Sequence, residues 1–211
     1  MPATIVLVRA VLRRVRRNRI LEVALTVAFA LLLFLAVQAY AVKPYRIPSA
    51  SMEPTLRVGD RVLVDRVSHH LGADPDVGQI VVFHPPSGAD ITAPECARRL
   101  SGAACARPVG PASSNTFVKR VVGVSGDRIA VRDGHVIRNG RRQREPFAAP
   151  CGGGGECNLP RPVTVPRGFV FVMGDNRGAS SDSREWGPVP IDWVIGEAVA
   201  VYWPPGRAST L

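Results

Sequence analysis

Residues Ile20 to Val42 form a mainly apolar run whose one charged residue is Glu22, and six arginines at positions 9, 13, 14, 16, 17 and 19 stand directly before it. As a helix rising 1.5 Å per residue, this run can cross a hydrocarbon core of about 30 Å. Basic side chains resist translocation and favour anionic headgroups, so the amino terminus stays cytoplasmic and everything after Val42 lies outside. Ala39-Tyr40-Ala41 has the small-x-small pattern of a cleavage site, and the segment alone fits a cleaved secretory signal as well as a retained anchor. No second run of spanning length follows. The expected organisation is a basic cytoplasmic tail over 1–19, a single transmembrane anchor over 20–42 and an extracytoplasmic domain over 43–211.

The net charge of +10 has a local origin, because the six leading arginines leave only +4 for the rest. Without zinc-finger spacing or an aromatic-interleaved basic surface, the excess points to membrane lipids as a partner and not to nucleic acid. Hydrophobic residues make up 46% of the 211, enough for one cored domain beside the anchor. Cys96, Cys105, Cys151 and Cys157 fall in two close pairs within Gly-, Ala- and Pro-rich segments. In an oxidising compartment they read as disulfides, Cys96–Cys105 and Cys151–Cys157 being preferred among three connectivities. Zinc ligation is the alternative, but the C-x₂₋₄-C spacing is missing, so no metal is expected.

Beyond the anchor, short apolar runs alternate with turn residues and helical period is scarce, which predicts a mainly β domain. The expected strands are Arg61 to Val67, Gln79 to His84, Phe117 to Val124, Arg128 to Arg132, His135 to Arg138, Phe169 to Met173 and Ala198 to Trp203. Asp133-Gly134 can adopt the positive φ angles of a type I′ turn, and Asn139-Gly140 marks the next turn. Two segments, near 85–116 and 147–168, have compositions that read as surface loops inserted into the β core.

No zincin motif, Walker loop, G-x-S-x-G elbow or dinucleotide fingerprint occurs. His69, His70, His84 and His135 have no recognisable Ser or Asp constellation. Four other strings stand in order: Pro48-Ser49-Ala50-Ser51-Met52-Glu53-Pro54-Thr55-Leu56, Gly59-Asp60-Arg61-Val62-Leu63, Phe117-Val118-Lys119-Arg120-Val121-Val122-Gly123-Val124-Ser125-Gly126-Asp127, and Met173-Gly174-Asp175-Asn176-Arg177 running on through Ser180, Asp182 and Arg184 to Trp186-Gly187-Pro188. Together they resemble the bacterial type I signal peptidases. One departure from that family is Gly178-Ala179, where many relatives carry a more polar pair.

The resemblance implies a Ser–Lys protease β-fold in which Ser51 is the nucleophile and Lys119 the general base. It further implies that Ser49 helps to hold the oxyanion, that Ser180 orients the Lys119 amine, and that Asp182 and Arg184 form a supporting ion pair. The implied substrates are exported preproteins, cut after small-x-small sites, with no cofactor and with a monomeric enzyme. The residue chemistry agrees, since a serine hydroxyl needs a base and no suited histidine is present. A lysine can serve only when neutral, so its pKa near 10.4 must be brought down by burial. Phe117, Val118, Val121 and Val122 flank Lys119 and can desolvate it. Two other readings carry a different function: a self-cleaving Ser–Lys protein related to the SOS-response repressors, and a secreted β-domain with no catalytic pair.

Overall fold

The computed structural model describes residues 19–34, 42–89, 105, 107–108, 110–152 and 157–211. The chain divides into two units, residues 1–41 and 42–211. In the first, residues 19–34 are helical, with Ile20, Phe29, Leu32 and other apolar side chains exposed. Among the described residues no helix is long and apolar enough to cross a membrane. The expected anchor continues over 35–41, outside the described residues, as does most of the basic tail.

The second unit is built on two sheets. Strands β1 (Val42–Arg46), β2 (Arg61–Asp65), β3 (Ile80–Phe83), β4 (Phe117–Gly123), β9 (Phe169–Met173), β10 (Val189–Pro190) and β11 (Val194–Trp203) run in the order β1-β2-β11-β3-β4-β9-β10, and β12 (Ser209–Thr210) pairs with β11. The smaller sheet has the order β7-β6-β5-β8, from β5 (Arg128–Arg132), β6 (His135–Arg138), β7 (Arg141–Arg142) and β8 (Leu159–Thr164). All the strand pairings are antiparallel. One core cluster joins Ile47, Met52 and Leu56 to Val62, Val64 and Val82, so apolar anchors within and just before the Pro48 to Leu56 string are fixed to the sheet interior. A second gathers Val81, Phe83, Val121 and Val172 around Trp186, and a third seats the small sheet on Phe171 and Met173.

Three expected strands, Arg128 to Arg132, His135 to Arg138 and Phe169 to Met173, have the observed bounds. The hairpin turn also takes its expected form, with φ of 49° at Asp133 and 77° at Gly134, and Asn139-Gly140 repeats it at 54° and 79°. The first expected strand ends early, at Asp65 instead of Val67. The Asp65 carboxylate accepts from Val67 N at 2.8 Å and Ser68 Oγ at 2.6 Å, turning the chain into the one-turn helix Val67–His70. The last begins early, at Val194, and includes Gly196, where an added Cβ would collide with the Asp65 carbonyl. The glycine there admits a close neighbouring backbone and does not end the strand.

The 147–168 segment is not loop throughout. It contains β8, whose Pro160 and Pro162 are tolerated because this edge strand pairs only with β5. Cys151 and Cys157 form a disulfide that closes the loop before it. Cys105 is disulfide-bonded and buried, while Cys96 lies outside the described residues. Of the 85–116 segment, the described ends return on each other, with Ser87 N donating to Pro111 O and Ser113 N to Pro85 O.

Candidate active site

The nucleophile string leaves β1 and closes into a single 3-10 turn, Ala50–Met52, with Ser49 extended before it. Burial of Met52 at 1% and Leu56 at 0% pulls the turn down onto the sheet, while Pro48 stays exposed. Asp60 fixes the far end of the loop: its carboxylate accepts from Arg57 N at 2.8 Å and from the Arg207 guanidinium at 2.9 Å. Ser51 thereby faces the centre of β4.

Lys119 sits within β4, paired with Val81 across to β3. Strand alternation puts Phe117 and Val121 on its side of β4, and its Nζ lies 5.5 Å from the Phe117 ring centroid. The side chain is 3% exposed, and its Nζ is 2.6 Å from Ser51 Oγ. Burial is the main cause that pushes Lys119 from 10.5 down to about 8, against the opposing charge of Asp182 and with help from Arg184. At pH 7 about one molecule in ten then has the neutral amine, against about one in 2,500 for free lysine. Ser49 Oγ lies 3.3 Å from Ser51 Oγ.

The pair opens into a cleft of about 340 Å³ lined by Ile47, Pro48, Met52, Phe117, Val118 and Ala179 among others. Its walls are largely apolar, and no histidine lines it. His84 instead hydrogen-bonds the Asn115 carbonyl at 3.0 Å. Among the described residues no group of three or more His, Cys, Asp or Glu side chains is placed to hold a metal ion.

Behind the lysine, Asp182 is fully buried and caps the one-turn helix Ser183–Trp186. Its carboxylate accepts from Arg184 Nε at 2.8 Å, a second Arg184 nitrogen at 2.8 Å, Gly174 N at 3.0 Å and Ser180 Oγ at 2.8 Å. Burial alone would raise its pKa, but the charge and hydrogen bonds of Arg184, the Gly174 N–H and the charge of Lys119 hold it below the usual range. Ser180 thus gives its one hydroxyl proton to Asp182. Its donation goes to the ionised carboxylate as the stronger acceptor, and among the described residues no hydrogen bond joins it to Lys119.

The family model described as signal peptidase, peptidase S26, matches residues 20–203. This chain belongs to that family. Thylakoidal processing peptidase 1 of Arabidopsis thaliana is 40% identical over 168 residues, covering 79% of this chain and 44% of that protein. A probable signal peptidase I-1 of Synechocystis sp. is 37% identical over 182 residues, 86% of this chain and 82% of its own. Signal peptidase I of Mycobacterium tuberculosis is 34% identical over 225 aligned positions, 92% of this chain and 76% of its own. The chain spans less than half the length of the plant relative.

Within this signal peptidase family member, three functional features escaped the reading of the sequence. Asn176 clamps the Ala50–Met52 turn, its backbone N–H donating to Ser51 O at 3.0 Å and its side-chain amide to Ala50 O at 3.1 Å. Asp175, fully buried, accepts from Arg120 at 2.7 and 2.9 Å and from Thr55 Oγ1 at 2.6 Å, linking β4 to the loop after Ser51. Gly174 leaves no room for a side chain, since a Cβ would strike Ser180 Oγ and the Ser51 carbonyl. All three stand in the Met173 to Arg177 string, so the string was visible while its contacts, those with Ala50, Ser51 and Thr55 over a hundred residues away in sequence, were not. Gly178 and Ala179, the departure from the family pattern, are exposed; Gly178 approaches the Cys151 carbonyl and Ala179 lines the cleft.

Proposed function

We propose that this chain is a membrane-anchored serine endopeptidase that removes signal peptides from exported preproteins, cutting after small-x-small sites by a Ser51–Lys119 dyad. The observation that carries the proposal is the buried Lys119 amine 2.6 Å from Ser51 Oγ at an open, largely apolar cleft. A separation beyond hydrogen-bond reach would have favoured a secreted β-domain with no catalytic pair.

In the proposed reaction the neutral Lys119 amine takes the Ser51 proton as Oγ attacks the scissile carbonyl carbon. The oxyanion that forms is held by the Ser51 N–H and by the Ser49 hydroxyl, which is released from its resting contact with Ser51 Oγ. Lys119, now an ammonium, gives its proton to the departing amine, leaving an acyl ester on Ser51. It then takes a proton from the water that attacks the ester carbonyl and returns that proton to Ser51 Oγ as the ester bond breaks and the new carboxyl group leaves. Ser180 keeps its bond to Asp182 and offers its free lone pairs to the ammonium, and Asp182, paired with Arg184, supplies the balancing negative charge. Ile47, Met52, Phe117 and Val118 line a shallow cleft suited to small side chains. The site is complete within one chain, so a monomer suffices.

Residues 20–42 serve as the anchor, with the arginine-rich tail cytoplasmic and residues 43–211 outside, where oxidising conditions maintain the Cys151–Cys157 disulfide. The test is incubation of the full chain in detergent micelles with a preprotein, comparing wild type with Ser51→Ala. Loss of the mature product, with an unchanged far-UV spectrum, is expected. Near-normal turnover by the variant would sink the nucleophile assignment.

A further inference from the structure

Positive charge is unevenly spread over the chain. Residues 125–168 hold eight arginines and four acids, whereas the remainder from residue 20 onward holds thirteen basic and thirteen acidic residues. The small sheet and its turns therefore carry the whole surplus outside the tail. Two of its four acids are also turned inward, Asp127 to Arg138 and Glu145 to Arg177.

Register decides where the arginines point. On β5, Ile129 and Val131 are buried in the core, so Arg128, Ala130 and Arg132 face the other way, the two arginines exposed and the small Ala130 between them buried. Arg132 pairs with His135, Ala130 with Ile137, Ile137 with Arg142 and Arg128 with Thr164. Arg128, Arg132 and Arg142 hence share the outer face. All three are exposed, and none makes a side-chain hydrogen bond or ion pair among the described residues. Charges on the edge strand β7 are explained as a guard against edge pairing. That account does not extend to Arg128 and Arg132, because β5 lies between β6 and β8.

We propose that this outer face of the small sheet docks on the phosphate headgroups of anionic lipids at the outer surface of the membrane. Arg128 and Arg132 stand four residues apart on β5, about 13 Å, and Arg142 stands two strands away on β7, about 10 Å, a spread that suits a charged plane better than a single small anion. Guanidinium donates to phosphate through two parallel N–H groups. The inference rests on the anchored reading above, which keeps the sheet within reach of the bilayer.

The experiment uses the full chain in nanodiscs of phosphatidylcholine, with or without about one third phosphatidylglycerol. Phenylglyoxal modification of Arg128, Arg132 and Arg142 is followed by peptide mass spectrometry. Each arginine near an anionic surface shifts the docking equilibrium by about fivefold. Modification at the three sites is expected to be at least about fivefold slower in the anionic discs, with the protection lost at about 0.5 M salt. As a second measurement, hydrogen exchange at the Asn139-Gly140 turn should slow in anionic discs for the wild type and not for the Arg128→Gln/Arg132→Gln/Arg142→Gln variant, whose replaced side chains are all exposed. Equal modification rates in both discs, for a chain that co-elutes with both, would overturn the proposal alone. Equal protection in neutral discs by inorganic phosphate would overturn it in favour of a soluble anion, and by polyglutamate in favour of an acidic polypeptide. Retention on anionic discs with release from neutral ones would overturn the anchor reading and uphold the docking face.

Discussion

Replacing Lys119 by Met removes the group on which both the chemistry and an electrostatic cost depend. Lysine ionises at 10.5 in the unfolded chain and at about 8 when buried beside Ser51. At roughly 1.4 kcal/mol per unit, that difference is a penalty of roughly 3 kcal/mol for holding the ammonium in the fold at pH 7. Methionine carries no such penalty but forfeits the bond to Ser51, worth about 1 kcal/mol, so a net gain of about 2 kcal/mol is expected. For a protein of this size this is a rise in melting temperature of about 4–8 °C. The sign with pH follows from the lowered value. The wild-type penalty is constant below about 8 and is relieved as pH rises from about 8 to 10.5, so the advantage of Lys119→Met should shrink across that window. Lys119→Arg should be inactive as well, but less stable than wild type, because guanidinium does not deprotonate and its charge stays buried. Circular-dichroism melts in detergent from about pH 6 to 10, with preprotein cleavage over the same range, measure both effects. Wild-type activity should rise through an ionisation near 8. A methionine variant no more stable than wild type at pH 7, an arginine variant that cleaves normally, or activity flat over the whole range would each refute the assignment of a desolvated lysine base.

Ser49→Ala should lower turnover by about 10²- to 10³-fold with little change in melting temperature, since it removes one oxyanion donor and no buried contact; an effect under about twofold in steady-state kcat would remove Ser49 from the mechanism. Asp182→Asn should cost about 3–5 kcal/mol, measured by urea denaturation, because it strips a buried arginine of its partner. It should also move the acid limb of the pH–activity profile to lower pH, since the Asp182 charge raises the Lys119 pKa; a shift to higher pH would contradict that electrostatic role. Gly174→Ala should abolish cleavage and destabilise the fold, and a variant with wild-type kcat and melting temperature would mean that the turn carrying Ser51 moves aside freely.

The fold was legible in the sequence wherever local chemistry acts alone. Alternating apolar residues ending at Asp133-Gly134 and Asn139-Gly140 specify β5, β6 and their turns without help from distant chain. Strands carrying prolines were not legible: β1 contains Pro44 and β8 contains Pro160 and Pro162. Proline opposes strand formation by removing a donor, and only the edge position, a property of the whole sheet, makes that loss harmless. The start of β11 at Val194, ahead of the expected Ala198, was not legible for a related reason, since the close approach of Asp65 that requires glycine at 196 arises only once β2 and β11 are paired.

The site divides along the same line. Ser51 and Lys119 could be put forward as nucleophile and base because their strings resemble the family's motifs, and the absence of a suited histidine agrees with a lysine base. Their positioning could not be read, because Asn176, Asp175 and Gly174 act through contacts with residues 50–55 and 120 that only the finished sheet creates. Ser180 illustrates the limit most sharply. Sequence resemblance links its hydroxyl to Lys119, whereas its proton is given to Asp182, so in the folded protein it touches the carboxylate that balances the base. Within the same motif Ser180 and Gly174 N both donate to the Asp182 carboxylate, the Asp182 charge raises the Lys119 pKa, and burial lowers it further than that charge can restore. The working value near 8 is the balance of these opposing effects, which is why removal of Asp182 and removal of Lys119 are expected to move stability in opposite directions.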